Sequence, residues 1–145
     1  MVTEVAGVGR VPFVAAFDGG PGTCVHARES AATYLGALAA RVPAREGKAV
    51  DRILLVVSEL VTNAVRHAPG PVILTLGAEP ATGARPAGVR VSVRDTSPAL
   101  PRPRIPDLAT GTGGFGWSAI IGPLATQVDI TTHTGGKEIH AVLPW

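Results

Sequence analysis

This chain is short of aromatic residues, short of charge and nearly without cysteine. Aromatics make up 4% of its 145 residues, charged residues 17%, and Cys24 is the single cysteine. One thiol excludes an intrachain disulfide framework and suits a reducing compartment, so the expected location is the cytoplasm. With so few aromatics and with arginines scattered along the chain, there is no stacking platform for bases, and direct nucleic-acid binding is not expected despite a net charge of +2. No run approaches the ~18–20 consecutive apolar residues of a membrane span, and the N-terminus lacks a charged start followed by a continuous apolar stretch. What the chain does have is a 46% hydrophobic content carried by aliphatic residues, with 18 glycines and 13 prolines as punctuation. That balance predicts one packed domain over residues 11–145 behind a flexible tail at residues 1–10.

The punctuation divides the chain into recognisable segments. Residues 11–17 cluster apolar side chains around Pro12, as an edge strand does, before the break Asp18-Gly-Gly-Pro-Gly-Thr23. Ala31, Tyr34, Leu35, Leu38 and Val42 recur at steps of three and four, which predicts a helix over residues 25–42 that ends before Pro43. A second helix is clearer: Val50, Ile53, Leu54, Val57, Leu60, Val61 and Ala64 form one stripe, with Arg52, Glu59, Thr62, Asn63 and Arg66 expected opposite, and Pro69 to Pro71 ending it. Strands follow at 72–76 and 89–95, then a Pro-rich stretch through Pro106 and a Gly-rich run at 111–116 that opens a short helix to Leu124. Two last strands, 127–132 and 138–143, turn at Gly135 and Gly136. The order favours an α+β two-layer sandwich, with helices on one face of a mixed, mostly antiparallel sheet.

Three features carry chemistry. Glu59 and Asn63 stand four apart on the second helix, so their side chains leave one face with Cβ atoms about 5–6 Å apart. An amide oxygen can ligate Mg²⁺ and a neighbouring carboxylate can take a proton from a hydroxyl, but a solvated polar face gives the same spacing. Asp95 follows an alternating strand and precedes a turn, which suits either an acceptor for a base amino group or an Asx turn. Gly111-Thr-Gly-Gly-Phe-Gly116 lets backbone amides approach phosphates at a helix start, and it is neither a Walker A loop nor a dinucleotide fingerprint; an ordinary flexible loop is its other reading. His26, His67, His133 and His140 show no metal-ligand spacing.

In this order the three features resemble the GHKL, or Bergerat-fold, ATPase superfamily, and within it the small bacterial anti-sigma factor serine/threonine kinase-like ATP-binding proteins. Leu55-Val-Val-Ser-Glu-Leu-Val-Thr-Asn-Ala-Val-Arg-His-Ala68 is similar to that family's N box; Val93-Arg-Asp-Thr-Ser-Pro98 and the stretch from Gly111 to Gly116 resemble its two glycine boxes. The resemblance implies that Asn63 ligates Mg²⁺ on the phosphates of ATP, that Glu59 is the general base, and that Asp95 meets the adenine amino group. Ser97, Gly111, Gly113, Gly114 and Gly116 would complete the nucleotide site. It implies further an anti-sigma factor antagonist protein as phosphate acceptor, a sigma factor as a possible second partner, and a possible homodimer. The chain departs from the pattern at Gly116-Trp117, where the second box normally continues Gly-Leu, and at Glu138, where the resemblance expects a Thr beside the purine. Those departures keep open a non-catalytic module that binds nucleotide, or only a partner.

Overall fold

In the computed structural model, residues 12–99 and 116–145 are described, with side chains from Ile120 onward in the second stretch. The expected tail at residues 1–10, most of the Pro-rich stretch, and Gly111, Gly113 and Gly114 lie outside the described residues, as does the side chain of Trp117.

Among the described residues eight elements follow one another: β1 (Phe13–Phe17), α1 (Thr23–Arg41), α2 (Ala49–His67), β2 (Val72–Glu79), β3 (Gly88–Asp95), α3 (Gly116–Leu124), β4 (Gln127–His133) and β5 (Gly136–Pro144). The strands form one sheet in the order β1-β2-β3-β5-β4. Each of the four pairings is antiparallel, so the sheet of the described residues is wholly so. β3 and β5 become neighbours across the intervening α3 and β4, which brings the end of β3 against the start of β5.

Period-two alternation gives this sheet two unlike faces. Val72, Leu74 and Leu76 of β2, Val89, Val91 and Val93 of β3, and Ile139, Ala141 and Leu143 of β5 are all buried. Registration aligns them across the sheet: Leu74 lies opposite Val93, Leu76 opposite Val91, and Ile139, Ala141 and Leu143 opposite Val93, Val91 and Val89. Against that apolar face pack α1, through Ala27, Ala31, Leu35 and Leu38, and α2, through Ile53, Val56, Val57, Leu60, Val61 and Ala64. The architecture is thus the expected α+β sandwich.

The α2 stripe also takes in Val56, which is buried, while Leu54 is only half-buried. Of the five residues expected opposite the stripe, Arg52 and Arg66 are exposed, whereas Glu59, Thr62 and Asn63 are half-buried at its border. Leu60 sits at the middle of the stripe and is 1% exposed. Leu60→Ala removes buried methyl groups and leaves a cavity; the expected loss is about 2–5 kcal/mol, read from the midpoint of a denaturant titration.

The last residue of the chain also belongs to the core. Trp145 donates its indole N–H to the Val42 carbonyl at 2.6 Å, and its backbone N–H bonds the Ala87 carbonyl at 3.0 Å. The residue is buried, so Trp145 fills the core.

Candidate functional site

The last turns of α2, the end of β3 and the start of β5 meet at one end of the sandwich. The helix stops at His67, and Pro69-Gly70-Pro71 carries the chain into β2. Thr96, the residue after β3, donates its hydroxyl to the Pro69 carbonyl at 3.0 Å, which ties the helix exit to the strand exit. Asn63 is one helical turn before His67, and Asp95 is the last residue of β3. Three of the expected site elements are thereby brought to the same end.

Glu59 and Asn63 are positioned by what holds α2 on either side. Buried Leu60, Val61 and Ala64 fix its rotation against the sheet. Ser58 accepts from the Arg28 guanidinium at 3.1 Å, and Thr62 lies 3.6 Å from the Cys24 sulfur, so the residues just before Glu59 and Asn63 face α1. Glu59 and Asn63, one residue further on, leave α2 about 100° around the helix from that pair, on a shared face. Cys24 itself is half-buried in this helix contact.

Asp95 is almost sealed. Its carboxylate accepts the Ser97 backbone N–H on Oδ1 at 2.9 Å, the Asx turn anticipated as one of its two readings. Its Oδ2 lies 2.9 Å from the Lys137 ammonium, and the two side chains are 4% and 7% exposed. Lys137 also donates to the Ser97 carbonyl at 3.1 Å. Asp95, Ser97 and Lys137 therefore form a closed hydrogen-bonded ring that pins the start of the loop after β3. Gly136 allows this approach, because a Cβ there would run into the Asp95 backbone carbonyl.

Lys137 is the residue that sequence reasoning missed, and Glu138 the one it misassigned. The resemblance puts Glu138 beside the purine, and the structure places it on the face of the sheet opposite Asp95. Asp95 is the register partner of Lys137, while Glu138 pairs with Arg94 on the sheet's other face. There Glu138 lies 3.6 Å from His140 Nε2, and the other ring nitrogen of His140 is 2.8 Å from the Ser92 hydroxyl. The signal was present in the sequence: Ile139, Ala141 and Leu143 are apolar at alternate positions, so Lys137 shares their face and Glu138 cannot.

A buried charge pair is costly to break on one side, because the remaining ion loses its partner without regaining water. Lys137→Met should therefore cost about 3–5 kcal/mol, measured as a shift in denaturation midpoint. Of the remaining expected site residues, Ser97 stands in the ring just described, and Gly116 opens α3, which packs against α2. Among the described residues, no group of three or more His, Cys, Asp and Glu converges as a metal cluster. A single oxygen ligand such as the Asn63 amide is compatible with Mg²⁺, which keeps most of its coordination for water and substrate phosphates. No helix among the described residues is long and apolar enough to cross a membrane.

Comparison with known proteins agrees with this fold. A family profile described as histidine kinase-like ATPase domain matches residues 21–143. The fold is similar to the crystal structure of the RsbU and RsbW domains of a Mycobacterium tuberculosis protein, with a TM-score of 0.59 and 18% identity over 92% of this chain. This chain covers 32% of that one, about a third of its length. The histidine kinase domain of a blue-light activated histidine kinase from Erythrobacter litoralis also matches, at a TM-score of 0.46 and 22% identity, over 79% of this chain and 60% of that one. Among curated proteins, none matches the chain.

Proposed function

The chain belongs to the histidine kinase-like ATPase domain family, and from that premise we propose that it is an ATP-binding regulatory serine/threonine protein kinase of the anti-sigma factor type. One observation carries the reading: half-buried Asn63, near the end of α2, and the buried carboxylate of Asp95 stand at the same end of the sandwich, which the Thr96–Pro69 hydrogen bond ties together, and Glu59 shares the Asn63 face one turn earlier. In this reading Asp95 meets the base. Ser97 and the glycines Gly111, Gly113, Gly114 and Gly116 border the rest of the nucleotide, and the α3 N-terminus lies toward the phosphates with its positive end. The anti-sigma assignment rests on the residue pattern of the N box at 55–68 and gains support from the likeness to a fold that includes an RsbW domain.

Asn63 would hold Mg²⁺, which when bound neutralises phosphate charge and orients the phosphates. Glu59 takes the proton of a serine or threonine hydroxyl as that oxygen attacks the γ-phosphorus in line; the bond to the β–γ bridging oxygen breaks and ADP leaves. The hydroxyl belongs to an anti-sigma factor antagonist protein, and a sigma factor is the second partner. The protein acts in the cytoplasm, and its residues 11–145 form one domain that can pair with a second copy.

Incubation with γ-labelled ATP, Mg²⁺ and antagonist proteins tests the proposal. Label on a serine or threonine of an antagonist is the expected result; intact nucleotide binding with no transfer to any of them would remove the kinase step. A second reading, a regulatory module that binds without catalysis, is favoured by one specific feature: Lys137 already occupies an oxygen of Asp95.

A further inference from the structure

We infer that Lys137 is a base-reading residue, and that with Asp95 it opens the site to 6-oxopurine nucleotides as well as 6-aminopurine ones. The inference rests on the reading of Asp95 as the group that meets the base.

The argument begins with what the pair has left to offer. An ammonium carries three N–H donors, and Lys137 commits one to Asp95 at 2.9 Å and one to the Ser97 carbonyl at 3.1 Å. Among the described residues one donor remains. A carboxylate has about four acceptor positions, of which, among the described residues, the Ser97 N–H and the Lys137 ammonium use two. The site therefore holds a donor and an acceptor side by side, both charged, on side chains that are 7% and 4% exposed.

A buried carboxylate alone is selective. It accepts a hydrogen bond from a 6-amino group and rejects a 6-oxo group, because two acceptors would face each other with no proton between them and no water to relieve the contact. An ammonium beside the carboxylate removes that rejection. A 6-oxopurine can accept from Lys137 at its carbonyl oxygen while its N1–H donates to Asp95. A 6-aminopurine can donate from its amino group to Asp95 while its N1 accepts from Lys137. The two bases present that edge in opposite order, so the 6-oxopurine satisfies the pair only in a pose that exchanges which edge atom meets Asp95 and which meets Lys137, and selectivity is the difference between the two affinities. The buried setting strengthens both charge-assisted bonds, so neither base is favoured by default.

Lys137 is not a free surface charge that merely happens to be near. It is the register partner of Asp95, on the strand that follows Gly136, so its position is set by backbone pairing. The same contact also stabilises the fold, and a purely structural role would move stability without moving the ratio of nucleotide affinities.

Competition titrations of the wild-type protein with Mg²⁺ and ATP, GTP or inosine triphosphate give the test. ATP and GTP are expected to bind within about tenfold of each other, with inosine triphosphate close to GTP, because the 6-oxo and N1–H edge is common to both. Lys137→Thr, which leaves Asp95 as the sole charged reader, should shift the ATP-to-GTP ratio toward ATP by at least about tenfold. Lys137→Arg keeps donors next to Asp95 and should keep the wild-type ratio. A wild-type preference for ATP above about a hundredfold overturns the inference while leaving ATP binding intact. So does a Lys137→Thr protein, folded by its melting curve, whose ratio equals that of the wild type. Should Lys137→Thr not fold, the wild-type ratio alone decides. Failure of all three nucleotides to bind the wild type overturns the nucleotide reading of the site itself, and this inference with it.

Discussion

Asn63→Ala is expected to abolish the Mg²⁺-dependent part of nucleotide affinity, weakening ATP binding by about 100-fold or more. Removing groups that only orient a metal ligand costs ~10–100-fold, and Asn63 is proposed as the ligand itself. The substitution should spare the fold. Asn63 is half-buried at the border of the α2 stripe, and the residues that anchor the helix, Leu60, Val61 and Ala64, are untouched. Isothermal titration with and without Mg²⁺ reads the effect: the wild type should lose affinity when the ion is withdrawn, and Asn63→Ala should show the low affinity in both conditions. Equal, ion-sensitive affinity in the variant would take Asn63 out of the site.

Glu59→Gln is expected to separate binding from chemistry. A carboxamide of nearly the same shape keeps the packing of α2 but cannot take a proton, so phosphate transfer to an antagonist protein should fall by about 10²–10⁴-fold. The dissociation constant for ATP should change little, because Glu59 is assigned a role only as the hydroxyl is attacked. Single-turnover transfer of labelled phosphate, measured beside an ATP titration of the same preparation, checks both halves. Transfer at the wild-type rate would reject Glu59 as the base. A regulatory effect on a partner that survives in Glu59→Gln would favour the binding module that works without catalysis.

Much of this arrangement is legible in the sequence because it depends on local periodicity. The apolar stripe of α2 and the alternation in β3 identify both elements and the faces they bury, and the spacing of Glu59 and Asn63 follows from the helix alone. The antiparallel return of β5 beside β3 is a different matter. It depends on pairing between strands separated by α3 and β4, and no local pattern states which residue will face Asp95. The ion pair with Lys137 is a product of that register, so attention fell on Glu138, the residue aligned by resemblance. Parity along β5 would have corrected the face but not supplied the partner. Thr96 and Pro69 show the same limit, since the bond between them joins two exits that are adjacent only in the folded chain.

The Asp95 ring also changes how the site is understood. The Asx turn and the base acceptor began as competing readings of one aspartate, yet the first uses only Oδ1 and its neighbouring Ser97 N–H. Acceptor capacity on the carboxylate is left for a ligand, so a structural duty and a recognition duty can rest on the same side chain. What the ring adds is a charged neighbour, and any base that enters must be compatible with both.

The central claim, that this end of the sandwich binds a nucleotide with Mg²⁺, is tested most directly by an equilibrium titration of ATP and ADP against the purified protein in the presence and absence of the ion. Saturable binding of ATP that is strengthened by Mg²⁺ is the predicted result; no detectable binding of either nucleotide in either condition would contradict it.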